Sequence, residues 1–278
     1  MTGPRTVALV GDPIGGSVSP ALQNAAFRAL SLPFEYVLHP LPRGALTADF
    51  PELRERYIGL NVTTPHKEAA LGLVDTVGDA ARACGSVNTI AFGPAGAHGD
   101  STDGAGFLRA LRRAAPGCTF RRALVLGAGG AARAVATALV AAGSEVGLWS
   151  RDPAAARAIA GELADVSAVG DDRLAGEIQA ADLLVSALPT AAWIAGSPPV
   201  PADLGLPGGL TVFDLAYRPR RTPLLERAAQ AGCVTVEGIE MLIEQGALSF
   251  AMWTGQEAPV QAMREAAYNA LCPPEHER

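Results

Sequence analysis

The chain has 278 residues, 49% of them hydrophobic and 18% charged, with a formal net charge of −6. This length supports a large core in one or two domains, and this balance fits a soluble globular protein rather than a disordered one. The negative charge, the 5% aromatic share and the lack of a basic block beyond RPRR at 218–221 argue against a nucleic-acid binder.

The opening MTGPRTVALVGDP is too short in apolar residues for a signal peptide. Its TVALVG (6–11) reads as a buried strand. Ser19-Pro20 then opens a helix, with serine as N-cap and proline at the first helical position, running through ALQNAAFRAL. FEYVLHPL is a second strand, ALTADFPELRERY a helix with a break at Pro51, and YIGLNVT a third strand. SVNTIAFG (86–93) is a fourth strand, followed by the polar, Gly-rich connection GPAGAHGDSTDGAG. From residue 104 the rhythm changes. GFLRALRRAA is an amphipathic helix, and RRALVLGAGGAARAVATALVAAG is strand, glycine turn and helix. SEVGLWSR, ADLLVSALP and LTVFDLAY are strands, and DPAAARAIAGEL is a helix. The Pro-rich GSPPVPADLGLPGG (196–209) is expected as a surface loop. Thr222-Pro223 caps the helix LLERAAQAG, and GIEMLIEQGALSFAMWTG and PVQAMREAAYNAL are the last helices. Short β-rich runs alternating with Ala-rich helices predict an α/β fold.

The most apolar stretch, 123–149, is broken by Arg133, Glu145 and several glycines, so no membrane span is expected. Cys84, Cys118, Cys233 and Cys272 are scattered without a C-x-x-C, which predicts reduced thiols and a cytoplasmic location. His39, His66, His98 and His276 lie far apart with no ligand spacing, so no metal site is expected.

Lys67 is the only lysine; every other residue among the 22 Lys+Arg is arginine. A stray lysine can survive in an arginine-biased chain. A site that needs an amine able to lose its proton is the other reading, because arginine, with a pKa above about 12, cannot do that.

ALVLGAGGAAR (123–133) places Gly127, Gly129 and Ala132 in a G-x-G-x-x-[GA] pattern between a strand and a long helix. Gly127 permits the tight turn and Gly129 the approach of backbone to a pyrophosphate. Ala132 lets the helix pack close, and the helix N-terminus supplies the electrostatics. A structural turn or a methyltransferase-type site shares this pattern in isolation. About 20 residues on, where an acid holds an NAD ribose, stand Ser150 and Arg151. The arginine suits the 2′-phosphate of NADP, while Asp152 keeps NAD as the second reading. In GDPIGGS (11–17), Gly11 and Gly16 have P-loop spacing, but Ser17 stands where the lysine belongs, so an ATP cradle is not expected.

Taken together, these segments resemble shikimate dehydrogenase. That family's G-x-P-I-x-H-S-x-S-P stands here as Gly11–Pro20, its N-V-T-x-P-x-K as Asn61–Lys67, its G-[AS]-V-N-T as Gly85–Thr89 and its N-T-D-G as Ser101–Gly104. Its G-A-G-G-A falls at 127–131, its Y-D-x-x-Y-x-P-x-x-T-P-L at Phe213–Leu224, and its G-x-x-M-L-x-x-Q-[AG] at Gly238–Gly246. The blocks keep the family's order over nearly the whole chain. Gly16 replaces the usual histidine and Ser101 the usual asparagine, Ser150 and Asp152 stand where Asn and Thr are common, and SALPTAAW replaces the usual N-A-T segment.

The resemblance implies reversible NADP-dependent oxidation of shikimate to 3-dehydroshikimate, on the route to aromatic amino acids. It leaves a quinate- or NAD-using relative and a non-catalytic dinucleotide sensor as alternatives. It also implies two domains separated by an active-site cleft. Residues 1–103, completed by helices at 239–278, would form an N-terminal α/β substrate-binding and catalytic domain, and 104–238 a Rossmann-type NADP-binding domain. Lys67 and Asp103 would be the catalytic pair. Ser17, Ser19, Asn61, Thr63, Lys67, Asn88, Asp103, Tyr217 and Gln245 would contact substrate. Gly127, Ala128, Gly129, Gly130, Ala131, Ser150, Arg151, Asp152, Leu215 and Gly238 would hold the cofactor. The partner would be the small-molecule substrate, with neither nucleic acid nor membrane, in a monomer or homodimer. On this reading TTPHKEAA puts Thr64 at an N-cap, Pro65 at the first helical position and Lys67 in the first turn. The helix end would disfavour a cation there and Asp103 would favour it, so the pair could pass a proton to and from the reacting oxygen.

Overall fold

Two sheets, each in its own unit, order this chain. The computed structural model describes residues 5–194, 199–200 and 204–272. One unit takes the residues up to Gly106 together with those from Leu242 onward, and the other takes Phe107–Met241.

The first unit runs β1 (Arg5–Gly11), α1 (Ser19–Ala29), β2 (Phe34–Pro40), α2 (Leu46–Arg56), β3 (Gly59–Val62), α3 (Lys67–Leu71), β4 (Thr76–Val77), α4 (Asp79–Cys84), β5 (Thr89–Gly93) and β6 (Gly96–Asp100), and α5 (Asp103–Ala114) follows. The strands order as β2-β1-β3-β5-β6-β4. β1 is parallel to β2 and β3, whereas β5 is antiparallel to β3 and β6. Alternation along β1 sends Ala8 and Val10 into a core with Leu46, Phe50 and Leu53 of α2 and with Leu60 and Val62 of β3.

Three local expectations are corrected here. The first turn of α1 begins one residue earlier than its Ser-Pro pair suggests. Val18 is the N-cap and its carbonyl accepts the Ala21 and Leu22 N–H groups, which makes Ser19 the first helical residue. α2 runs through Pro51 without a break, because Thr47 and Pro51 lie on its exposed side, where water meets the carbonyl that Pro51 leaves unpaired. The connection after β5 holds a further strand, β6, whose inward positions are filled by Ala97 and Gly99; a Cβ on Gly99 would come within 2.9 Å of Val74. Small inward residues hide such a strand from a hydrophobicity reading.

The second unit continues with β7 (Arg122–Leu126), α6 (Gly130–Ala141), β8 (Glu145–Trp149), α7 (Pro153–Glu162), β9 (Val166–Val169), α8 (Asp171–Ala180), β10 (Leu183–Ser186), α9 (Ala191–Ile194), β11 (Thr211–Asp214), α10 (Pro223–Gln230) and β12 (Val234–Glu237). All neighbours are parallel in the order β12-β11-β10-β7-β8-β9, the doubly wound dinucleotide-binding arrangement. Val125, Val146, Leu148 and Val185 face one core, and Leu124, Leu126, Leu184 and Val212 face the other. Burial on both faces is why these strands read as unbroken apolar runs. The Pro-rich segment is partly outside the described residues. Where it is described, it departs from a surface loop: Val200 and Leu206 are buried in the second core.

α11 (Gly238–Thr254) and α12 (Val260–Leu271) end the chain, and from Leu242 on they belong to the first unit. Phe250 packs on Phe27 of α1 with ring centroids 5.4 Å apart, and the Trp253 indole N–H donates to the Ile90 carbonyl at 2.9 Å. No helix among the described residues is long and apolar enough to cross a membrane.

Trp253 lies over β3 because residue 59 has no side chain. A Cβ there would sit 2.4 Å from the indole Cδ1. Gly59→Ala is therefore expected to cost roughly 1–3 kcal/mol through overpacking, read as a fall in the urea midpoint at unchanged m-value; an unchanged midpoint would contradict this packing.

Candidate active site

Lys67 and Asp103 come from separate elements and meet. The lysine Nζ donates to Asp103 Oδ2 at 2.5 Å, with side-chain exposures of 16% and 6%. The local geometry differs from a Thr64-capped helix. His66 N–H bonds to the Thr63 carbonyl and closes a turn, Pro65 lies ahead of the helix after a cis peptide, and Lys67 is the first residue of the five-residue α3. So short a helix is little more than one turn, and the group that acts on the amine directly is the Asp103 carboxylate. The strand-to-turn placement is firm. Thr63 N–H bonds to the Val10 carbonyl, and the Lys67 carbonyl accepts the Val87 N–H at 2.9 Å, which draws the Asn88 segment alongside.

Asp103 begins α5, and its other oxygen, Oδ1, accepts from Asn88 Nδ2 at 2.8 Å. Three side-chain amides converge here, and each is oriented by a main-chain group whose role is unambiguous. Asn88 Oδ1 accepts the Thr102 N–H at 2.8 Å, so its Nδ2 faces Asp103. Gln245 Nε2 donates to the Leu242 carbonyl at 2.9 Å, so its Oε1 faces Asn88 Nδ2 at 3.2 Å. Asn61 Nδ2 donates to the Asn88 carbonyl at 3.1 Å, which turns its Oδ1 to the Tyr36 hydroxyl at 2.8 Å. The hydroxyls of Thr89, Thr102 and Ser249 fill the space between the amides. Their spacing gives the signal a sequence reading could have used: Thr89 and Thr102 each adjoin a site residue, and Ser249 follows Gln245 by four on one helix face. Gly106 makes room for Gln245, since a Cβ there would come within 2.5 Å of the Gln245 nitrogen.

Of the remaining first-unit candidates, Thr63 is half-buried and Gly11 lies against it; a Cβ on Gly11 would meet the Thr63 methyl at 2.4 Å. Ser17 Oγ accepts the Ser19 N–H at 3.2 Å. Asn61 is buried with both ends of its amide bonded to protein.

The second unit carries the other candidates. Gly127 has φ +123 and abuts the Ala187 carbonyl, Gly129 is the N-cap of α6, and nothing lies within 4 Å of a Cβ placed on Gly129. An open, side-chain-free turn at the N-terminus of a twelve-residue helix fits the pyrophosphate of a dinucleotide, with Ala128, Gly130 and Ala131 completing it. After β8, Ser150 is half-buried and Arg151 exposed. Asp152 is the N-cap of α7, its Oδ1 accepting from Ala154 and Ala155 N–H. Gly238 lies against the Leu215 carbonyl, which a Cβ would meet at 2.3 Å, and Tyr217 is half-buried just beyond β11. Asp214, fully buried at the end of β11, accepts from the Thr222 hydroxyl at 2.6 Å and the Ala216 N–H at 3.2 Å, and so fixes the turn between them.

Residues 9–90 match the shikimate dehydrogenase substrate binding domain, and residues 238–268 the shikimate 5′-dehydrogenase C-terminal domain. The chain is 41% identical to a shikimate dehydrogenase (NADP(+)) of Methanopyrus kandleri, with 96% of each chain covered. It superposes with a TM-score of 0.88 and 39% identity on a shikimate 5-dehydrogenase of Thermus thermophilus in complex with NADP(H) and shikimate, covering 96% of this chain and 100% of that one. A quinate dehydrogenase of Corynebacterium glutamicum in complex with NAD gives a TM-score of 0.87 at 29% identity, with 96% and 100% covered.

Burial pushes the Asp214 carboxyl above the ordinary aspartate value of 3.8, against hydrogen bonds from Thr222, Ala216 and Ser186. A carboxyl raised in the folded state holds its proton more tightly there, so its stabilisation is full below the ordinary value and is lost as pH rises through the folded one. Asp214→Asn removes the titration and keeps an acceptor for Ala216. The Tm of the variant minus that of the parent is expected to grow as pH rises from about 4 towards neutrality; a flat difference would refute the buried carboxyl's cost.

Proposed function

The chain belongs to the shikimate dehydrogenase family, and we propose that it catalyses the reversible, NADP-dependent oxidation of shikimate to 3-dehydroshikimate on the route to aromatic amino acids. The observation that carries this reading is the Lys67–Asp103 pair, 2.5 Å apart and braced by Asn88, in a chain whose 41%-identical relative is an NADP-dependent shikimate dehydrogenase. NADP is the cofactor, and a quinate- or NAD-preferring activity is not favoured. A non-catalytic sensor would have no use for an ion pair so placed. The free thiols of Cys84, Cys118, Cys233 and Cys272 support a cytoplasmic setting.

We assign the substrate to the unit with β1–β6 and the cofactor to the unit with β7–β12. When bound, NADP supplies the hydride acceptor. In the oxidative direction the reacting hydroxyl loses its proton to the Lys67–Asp103 pair as the adjacent carbon loses hydride; in the reductive direction the pair returns that proton. Asn88 holds Asp103 in place for both directions, and with Thr63 and Gln245 it takes the ring hydroxyls. Ser17 and Ser19 take the substrate carboxylate. Asn61, bonded to Tyr36, Asn88 and the Thr89–Ser249 hydroxyl pair, supports the site. The turn Gly127–Ala131 takes the pyrophosphate, Ser150 and Arg151 the 2′-phosphate, and Leu215 and Gly238 flank the nicotinamide. Asp152 contributes by capping the helix that begins beside Arg151.

Lys67→Ala is expected to fold and to lose about 10²- to 10⁴-fold in kcat, measured as NADPH formation from shikimate. Lys67→Arg restores the charge but not the activity; full turnover in either variant would end the proton-transfer role. Arg151→Ala is expected to raise the KM for NADP by about 10-fold or more, with the KM for shikimate unchanged; equal KM values for NADP in parent and variant would remove Arg151 from the cofactor site.

A further inference from the structure

We propose that Ser249 and Thr89 are positioning residues that set the Asn88 amide against Asp103 through a relay of hydroxyls. The inference rests on the function proposed above. Both side chains are fully buried. Ser249 Oγ and Thr89 Oγ1 are 2.7 Å apart, Thr89 Oγ1 donates to Asn88 Oδ1 at 2.9 Å, and Asn88 Nδ2 donates to Asp103 Oδ1 at 2.8 Å. The relay thus runs from α11 through β5 to the carboxylate that pairs with Lys67.

Counting protons gives the chain its direction. A threonine hydroxyl has one hydrogen. If Thr89 gives it to Asn88 Oδ1, the 2.7 Å contact requires Ser249 to donate to Thr89. The other order has Thr89 donating to Ser249 and Ser249 to the Gln245 carbonyl, its neighbour one helical turn back at 3.1 Å. The 2.7 Å contact is common to both orders; they differ in the 2.9 Å from Thr89 to Asn88 Oδ1 against the 3.1 Å from Ser249 to the Gln245 carbonyl, and the shorter belongs to the first. Asn61 Nδ2 lies 3.1 Å from both hydroxyl oxygens and donates into the pair, which frees the hydroxyl protons to run on towards Asn88.

The consequence is chemical as well as steric. An amide whose oxygen accepts strongly donates more strongly through its nitrogen, because linked hydrogen bonds polarise one another. Asn88 Oδ1 accepts the Thr102 N–H in any case, with the Thr102 hydroxyl farther off at 3.2 Å; Thr89 adds its nearer hydroxyl only while Ser249 keeps that hydroxyl turned towards Asn88. Without Ser249, Thr89 is free to point its proton elsewhere, and Asn88 braces Asp103 less firmly. Ser249 also lies 3.2 Å from the Thr102 hydroxyl, so it touches the surroundings of both Asn88 and Gln245 while touching neither side-chain amide.

The test compares Ser249→Ala, Thr89→Val, Thr89→Ser and the double variant S249A/T89V in kcat, in KM for shikimate and for NADP, and in Tm. Ser249→Ala and Thr89→Val are each expected to lower kcat by about 5- to 15-fold with the KM for NADP unchanged. Thr89→Ser, which keeps the hydroxyl and drops only a methyl group, is expected to retain most of the parent's kcat. Two links of one relay cannot be cut twice, so the double variant should be no slower than the slower single one. Unchanged kcat in both deletions, multiplying losses in the double variant, or a Thr89→Ser as slow as Thr89→Val would each overturn the relay. If Ser249→Ala does not fold, the Thr89 pair decides alone. A parent protein inactive on shikimate would sink the proposed reaction and the relay with it, an outcome distinct from an active parent indifferent to the hydroxyls.

Discussion

Both oxygens of Asp103 are spoken for, one by an ammonium and one by an amide, and the first unit holds that amide so that it cannot turn away. A side-chain amide is nearly symmetric in shape, so packing alone does not decide which end faces a carboxylate. Here main chain decides. The Thr102 N–H fixes Asn88, the Leu242 carbonyl fixes Gln245 and the Asn88 carbonyl fixes Asn61. Burial makes these choices costly to reverse, because a flipped amide would set donor against donor where no water compensates.

Glycine supplies the complementary constraint, proximity. Gly106 allows the start of α5 to lie against Gln245, Gly59 seats Trp253 on β3, and Gly238 lets backbone pass the Leu215 carbonyl. None of these requires an unusual φ; each is a place where a methyl group would occupy space that another chain segment already fills. The glycine of the nucleotide turn differs in kind. Gly127 does adopt a positive φ, and Gly129 faces open space, as suits a turn meant to receive a ligand.

Much of this was legible in the sequence, and the failures share a cause. The parallel strands of the second unit declared themselves because burial on both faces leaves apolar runs, and Thr222-Pro223 capped α10 as its residues suggest, with the threonine hydroxyl accepting from Leu225 N–H. The singular lysine and the blocks around it pointed to two side chains that the structure brings together. What escaped was whatever depended on a neighbour distant in sequence. β6 needs β5 and Val74 to explain its small inward residues, and α3 starts late because the Thr63 carbonyl takes the His66 N–H. Ser249 looks like a helix-interior serine until Thr89, 160 positions away, is seen against it. Local propensity reads what a residue prefers; it does not read what it is given.

Asp152 links two properties that are usually treated apart. In the cofactor site proposed above, the residue that follows Arg151 is also the first anchor of α7, with a carboxylate bonded to two amides of that helix. Any mutational path that retunes cofactor choice through this residue must at the same time find another cap, at a cost of about 1 kcal/mol if it finds none. On that assignment, a change of cofactor choice made through this side chain also changes the hold on α7.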